Sequence, residues 1–468
     1  MSRFISSLRN LSQPVNRLPP EILSRVARYV LPWYARDASA MFRLTRVCRY
    51  WRESIVSTPE NWTLISSSFG NVAALSLERA KAAPLEIWLS MDSMKKFLRL
   101  PDIIIPHFQK AITLVVDSIS TSREFTTMFP KFPQSAPNLR SLTLELKGPH
   151  DWDLSIDPFE SFTHTLTYLK LVKIPLYPSF LRLRTLTRLT LTDRQFNLHL
   201  DTLLDFLEEN DSLESAELEI KFVGPSLRNS RRRAVVGNRL LYLSIYFWDV
   251  MDVRALLANI PLLRGAHLDI SSGRDTLNDI FSGIPITHFL NLQSPIFMDY
   301  VSYMGKVRLH GPNGIFSFRR TLAPKELLTD FLEFPLIPLT NVRELHITTR
   351  EPVLFPLSCF PALETLAIHC QIEIDVSDVL SALLSNPSSS PSLKTLALLH
   401  CDFTDDFMEK LTRFASSRRN ASTSAWLHRV LAVSWEGHFP SVDLVNRLKD
   451  YVAIVDFRMG CELPTDLT

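Results

Sequence analysis

A chain of 468 residues exceeds what one compact core usually organises, so two domains or a repeat array is the expectation. A hydrophobic fraction of 46% with 21% charged residues excludes a disordered chain, and a net charge of +2 is too small to imply a nucleic-acid or membrane-surface partner. Only 12 glycines against 30 prolines argue against glycine-rich nucleotide loops and for a path with many stiff corners.

Residues 1–14 read as a flexible N-terminus, and the segment Met1 to Asn16 lacks the apolar run of a signal peptide. No window holds the roughly 18 apolar residues needed to span a bilayer, and Leu240–Trp248 is too short. The five cysteines (48, 359, 370, 401 and 461) form no C-x-x-C pair and leave an odd count, which fits reduced thiols in the cytoplasm and/or nucleus.

The first periodic element opens at Leu18-Pro19-Pro20-Glu21-Ile22-Leu23. Proline early in the first turn loses no needed hydrogen bond, and Glu21 sits where the helix dipole favours a negative charge. Ile22, Val26, Tyr29 and Val30 come next at helical spacing, and Pro32 ends the run. A second helical stretch starts near Ala38, carries Met41, Phe42, Leu44, Val47, Cys48 and Trp51, and runs out at Ser57-Thr58-Pro59, before Trp62. A bundle this small, with no disulfide or metal to staple it, is expected to stabilise itself against something else.

These three elements, Leu18-Pro19-Pro20-Glu21-Ile22-Leu23, then Leu44-x-x-Val47-Cys48-Arg49-x-Trp51-Arg52, then Pro59-x-x-Trp62, resemble the F-box in its fungal form. The resemblance implies a three-helix domain over residues 15–65. It also implies docking on the small linker subunit of SCF-type cullin–RING ubiquitin ligases. The matching positions are Leu18, Pro19, Ile22 and Val26 in the first element, and Leu44, Val47, Cys48 and Trp51 in the second. The connection Leu31–Ser39 is longer than in compact F-boxes.

After a connecting segment, 66–84, a phrase L-x-x-L-x-L recurs over residues 85–457. Good copies start at Leu139, Leu166, Leu186, Leu240, Val342, Leu363 and Leu393, looser ones at Leu213 and Leu263. Faint ones start at Leu85, Ile112, Thr287, Met304 and His428. Between them lie helical patterns that read as Asp-capped at Asp201, Asp252, Asp375 and Asp405, with a proline-started one at Pro324. Alternating strand and helix implies a parallel sheet with helices behind it, and repetition of the unit a curved solenoid. The pattern resembles the leucine-rich repeat family. The expected fold is therefore α/β: a short all-α F-box-like domain, then a leucine-rich-repeat-like solenoid with helices on the convex side, then a tail over 458–468. The family's Asn or Cys after the last leucine is met only by Cys401; Lys147, Ile174, Arg194 and Arg350 stand there elsewhere, so no asparagine ladder is expected. Segments 149–162 and 310–325 are expected to interrupt the array.

No phosphate-cradling loop, H-E-x-x-H or G-x-S-x-G motif occurs, so an enzyme is not expected, and no catalytic residue or cofactor is named. Asp151-x-Asp153-x-Ser155-x-Asp157 lacks the glycine and the bidentate Glu of a calcium loop. His369-Cys370 and His400-Cys401 offer four zinc-type ligands, but consecutive strand residues point opposite ways, so no metal is expected. Arg231-Arg232-Arg233 reads as a solvated loop. The functional expectation is a substrate-recognition adaptor, with the box on the ligase and the solenoid on an unknown target protein; the alternative is a leucine-rich scaffold or inhibitor without ligase association. If the phrase leucines face the core, Arg140, Tyr168, Lys170, Arg188, Tyr242, Arg264 and Arg343 face the target. The earlier coils lean basic, which favours an acidic or phosphorylated segment.

Overall fold

The computed structural model describes residues 13–30, 38–96, 100–121, 123, 127, 136–147, 165–174, 176, 180, 183–222, 239–247, 249–260, 265–284, 294–320, 327–334, 337–350, 356–370, 381, 390–401, 403–421, 426–434 and 440–459. Residues 1–229 form one compact unit and residues 230–468 a second. No helix among the described residues is long and apolar enough to cross a membrane. The fold class is the expected one: an N-terminal helical region followed by mostly parallel strands with intervening helices, as in leucine-rich repeats.

The first unit opens with α1 (Pro20–Val30), α2 (Ala38–Leu44), α3 (Arg49–Ser57) and a 3-10 turn, Pro59–Trp62. The single helix expected from Ala38 to Ser57 is thus two. Thr45 Oγ1 donates to Phe42 O at 2.8 Å, and Arg52 Nε donates to Thr45 O at 3.1 Å. Cys48 is extended, φ −158° and ψ 176°, so a new helix starts after it. Apolar spacing is the same on both sides of the break, and periodicity alone runs through it.

Trp62 ties this helical cluster to the α4 helix (Gly70–Ala80) at the start of the repeats. It is 1% exposed, its Nε1 donates to Ile55 O at 3.0 Å, and the Phe42 ring meets it edge-on at 5.2 Å. Arg79, from α4, lies 4.3 Å above the indole ring. Beside it, Ser24 Oγ of α1 donates to Asn61 Oδ1 at 2.8 Å.

Seven parallel strands come in chain order: β1 (Leu64–Ser66), β2 (Leu85–Ser90), β3 (Ala111–Ile119), β4 (Ser141–Leu146), β5 (Tyr168–Val172), β6 (Arg188–Leu198) and β7 (Ser215–Phe222). The phrase leucines of three successive repeats (139, 142, 144; 166, 169, 171; 186, 189, 191) are all at most 4% exposed. Each buried leucine contributes about 1.5–3 kcal/mol.

No asparagine ladder was expected after these leucines; a polar ladder runs just before them instead. Asn138 Nδ2 donates to Gln109 O at 2.9 Å, Thr165 Oγ1 to Leu139 O at 2.9 Å, Thr185 Oγ1 to Leu166 O at 2.8 Å and Ser212 Oγ to Leu186 O at 3.0 Å. Each side chain satisfies a carbonyl of the preceding coil, so it fixes the stacking of one repeat on the next. Thr185→Val and Ser212→Ala are each expected to cost about 0.5–1.5 kcal/mol in urea unfolding of the full chain. Unchanged midpoints would show that the ladder carries no stability.

In the second unit the strands are β8 (Tyr242–Phe247), β9 (His267–Ser272), β10 (Phe297–Val301), β11 (Lys306–Gly311), β12 (Gly314–Arg320), β13 (Glu344–Thr349), β14 (Thr365–Cys370), β15 (Thr395–Leu399), β16 (Arg429–Ser434) and β17 (Ile454–Met459). Their spatial order is β8-β9-β12-β11-β10-β13, then β14 to β17 in sequence. Among the described strands of this unit only β11 runs antiparallel to its neighbours. The expectation that 310–325 interrupts the array is met in part: the described residues 314–320 are a strand of the sheet and not a loop, but with β11 they form the antiparallel pair that breaks the run of parallel strands. The reversal needs only a tight turn. Two glycines permit it: a Cβ on Gly314 (φ +129°) would lie 2.2 Å from Ala266 O, and one on Gly311 2.5 Å from Ser294 O.

Helix starts also differ. The helix expected to be capped by Asp252 spans Val250–Asn259 (α8 after α5, Met91–Lys96, α6, Leu100–Ile104, and α7, Leu200–Glu209), and Asp249 Oδ1 accepts from Met251 N at 2.9 Å instead. In α7 the residue before the helix is His199, and Asp201 lies inside the first turn. Both aspartates still face the positive end of the dipole. One-sided burial, expected of every strand, fails at β14–β16: Ala367, Ala397, Leu399, Leu431 and Val433 on the non-leucine rows are buried too. The readings at Asp151–Asp157, Arg231–Arg233, Asp375, Pro324, Thr287 and segment 149–162 fall outside the described residues, as does most of the 31–39 connection.

Candidate docking surfaces

The apolar stripe of α1 turns outward. Leu23, Ser24 and Ala27 are buried, whereas Ile22 is 41% exposed, Val26 half-buried and Tyr29 84% exposed. Val47, in the turn between α2 and α3, is 56% exposed, and Pro19 is exposed. Leu18, Leu44, Cys48 and Trp51 are half-buried. Sequence reasoning missed the bonds that set this surface: Trp51 Nε1 donates to Asn16 Oδ1 at 2.7 Å, and the Tyr50 hydroxyl donates to the Leu18 carbonyl. Both fix the Leu18-Pro19 entry to α1 against α3. Scattered exposed apolar residues are ordinary; Ile22, Val26 and Tyr29 differ in standing one above another on one side of α1.

On the strands of the first unit, register aligns Ser141, Tyr168, Arg188 and Ser215 in one row and Thr143, Lys170, Thr190 and Glu217 in the next. Tyr168 and Lys170 are half-buried, and Arg140 and Arg188 are exposed. The Arg188 guanidinium lies 5.8 Å from the Tyr168 ring centroid. In the second unit Arg343 is exposed and half-buried Tyr242 meets His267 edge-on at 5.0 Å; Arg264 lies outside the described residues.

The second unit also holds a polar cluster on its strands. One row runs His267, Ile315, His310, Phe297 and Glu344; the adjacent row runs Asp269, Ser317, Arg308, Asp299 and His346. Phe297 packs edge-on against His310 at 5.1 Å and His346 at 4.7 Å. Burial is the chief cause that lowers the pKa of all three histidines. Arg308 adds to it at His267 and His310, while Asp269, Asp299 and Glu344 act in opposition. A histidine whose folded pKa is depressed binds fewer protons folded than unfolded. Its stabilising contribution is therefore present above the unfolded value of about 6.5 and is lost as pH falls below it. The melting temperature is expected to fall between pH 7.5 and 5.5, less steeply in His267→Gln with His346→Gln; identical slopes would contradict this.

Cys370 and Cys401 are buried with their Sγ atoms 3.4 Å apart, while His369 and His400 have ring centroids 5.0 Å apart. Among the described residues no group of three or more His, Cys, Asp or Glu is arranged to hold a metal ion.

Residues 15–67 match the F-box-like family. Among curated proteins none matches the chain. Of solved structures, a leucine-rich-repeat protein of Leptospira interrogans is 14% identical, with a TM-score of 0.26, over 75% of this chain and 86% of that one. A protein from Bacteroides fragilis is 12% identical, with a TM-score of 0.18, over 72% and 74%. With likeness this slight, the repeat architecture rests on this chain's own strands and their register.

Proposed function

We propose that this chain is a substrate-recognition adaptor of an SCF-type ubiquitin ligase. Its N-terminal helices are an F-box of the fungal form that binds the ligase linker subunit, and its repeats hold a target protein for ubiquitination. The observation that carries the reading is the outward stripe of Ile22, Val26 and Tyr29, within a segment that matches the F-box-like family. A helix that merely capped the repeats would turn this stripe inward. The work is proximity: a lysine of the target is held near activated ubiquitin, which raises its effective concentration without any catalytic residue or cofactor in this chain. Neither nucleic acid nor membrane is a partner in this scheme, and the site of action is the cytosol or nucleus. Half-burial of Leu18 and Trp51 favours the competing scaffold reading at those two positions. Calorimetric titration of the full chain with purified linker subunit tests between them. Binding that is lost when Leu18 and Pro19 are both replaced by Ala is the expected result; binding retained by the double variant, or none by the unaltered chain, sinks the adaptor reading.

A further inference from the structure

The strand array of the second unit ends at β17. Among the described residues β17 pairs with β16 on one side and with no strand on the other. An open strand edge presents a row of N–H and C=O groups, and proteins blunt such edges with proline, lysine, a bulge or a very short strand. β17 has none of these: Ile454-Val455-Asp456-Phe457-Arg458-Met459 is an unbroken run of six residues in even register with β16. Its side chains are accessible as well. Ile454 is 45% exposed, Arg458 is exposed, and Val455, Asp456 and Phe457 are half-buried. In the row to which Ile454 belongs, the preceding strands carry Glu344, Thr365, Thr395 and Arg429, all polar.

The ladder to β16 fixes which backbone groups face the open edge. Ile454 N donates to His428 O at 3.0 Å, so Ile454, Asp456 and Arg458 turn their N–H and C=O groups toward β16. Alternation turns those of Val455, Phe457 and Met459 to the open side. Side chains alternate between the two faces of the sheet. Asp456 and Arg458 stand in the outward rows beside Leu431 and Val433, and Phe457 lies on the core side, where it meets Phe403 edge-on at 5.8 Å.

This strand is complementary to itself. A closed pair of identical chains has a twofold axis, and two copies of one edge strand related by it run antiparallel. With the axis at Phe457, that residue exchanges both backbone hydrogen bonds with Phe457 of the second copy, and Val455 does the same with residue 459 of the second copy. Asp456 then stands directly opposite Arg458 of the second copy, at a position without ladder bonds, where side chains approach most closely. Centred instead on residue 456 or 458, the strand sets Asp opposite Asp or Arg opposite Arg, and no other register pairs unlike charges. Within one chain Arg458 Nη2 and Asp456 Oδ2 are already 2.6 Å apart, so pairing of two copies closes a ring of four charges of alternating sign. An unrelated strand would have to bring both charges at this spacing; a second copy brings them by symmetry.

We infer that β17 pairs edge to edge with β17 of a second copy of this chain, forming a twofold dimer in which Asp456 of each copy meets Arg458 of the other. This goes beyond the adaptor reading and does not rest on it. One strand pair is a small contact beside the extensive interfaces of permanent dimers, so the dimer exchanges with monomer in the micromolar range.

Sedimentation velocity of the purified full chain, from about 1 to 100 µM, is the test. The expected result is a proportion of dimer that rises with concentration. Asp456→Arg and Arg458→Asp each set like charges opposite one another and should weaken the dimer at least about tenfold. An equal mixture of these two variants should dimerise again, because each then finds the opposite charge on the other chain. Both side chains are partly exposed, so the melting temperature of either variant should change little. The exchanged chain, Asp456→Arg with Arg458→Asp, keeps the ion pair within the strand and the one across the junction, and should dimerise like the unaltered chain. A monomer over the whole range overturns the proposal. So does a dimer that neither single reversal weakens, which would place the contact on another surface. A mixture and an exchanged chain that both stay monomeric overturn it too.

Discussion

Ile22→Asp is expected to lower affinity for the linker subunit at least about 30-fold while shifting stability by no more than about 0.5 kcal/mol. Ile22 is 41% exposed in the free chain, so a carboxylate there stays hydrated. In a complex the same carboxylate would be buried against apolar partner surface without a counter-charge, which costs several kcal/mol. Val47, at 56% exposure, should respond likewise, whereas Leu23, fully buried on the face of α1 turned to the core, should lose stability first and binding only as a consequence. Equal affinity in Ile22→Asp and the unaltered chain would place the partner surface elsewhere.

Trp62→Ala carries the largest expected effect on folding, a loss of about 3–5 kcal/mol against a total of about 5–15 kcal/mol for an ordinary domain. The indole fills space between the helices and α4, its N–H satisfies Ile55 O, and its face lies beneath the Arg79 guanidinium. Burial lowers the Arg79 pKa, so removal of the ring would also strand a poorly solvated cation. Trp62→Phe should cost less, because the ring stays and only the Ile55 carbonyl loses its donor. A midpoint for Trp62→Ala within error of the unaltered chain would show that the helices and first repeats are not coupled through this residue.

Much of the architecture was legible because it depends on short-range pattern. The phrases at Leu139, Leu166 and Leu186 lie on strands with every leucine buried, since strand alternation leaves no other face for them. Even the faint copy at Met304 lies on a strand, with Val307 and Leu309 buried; what the phrase could not encode is that β11 runs backwards, a matter of two tight turns. The break between α2 and α3 was hidden for a related reason, because Thr45 and Cys48 change the backbone path without disturbing apolar spacing. The stripe of α1 was legible as a stripe but not as to which way it turns. Leu23 and Ala27 form a second, rival face, and only packing against α3 decides between them.

The outward surface was the least legible part. Row membership comes from alternation, so Tyr168, Lys170 and Arg188 fall in the rows expected of them. The cluster around Arg308 depends on which strand neighbours which. Arg308 is distant in sequence from both Asp269 and His346, and joins their row only because β12, β11 and β10 are inserted between β9 and β13. No local pattern carries that information.

Hydrogen–deuterium exchange of the full chain, with and without an excess of purified linker subunit, tests the central claim most directly. Slower exchange confined to residues 18–30 and 44–52, with strands β4 to β7 unchanged, is the expected result. Exchange unaltered across residues 15–67, or slowed only on the strands, would contradict an F-box that docks through its outward stripe.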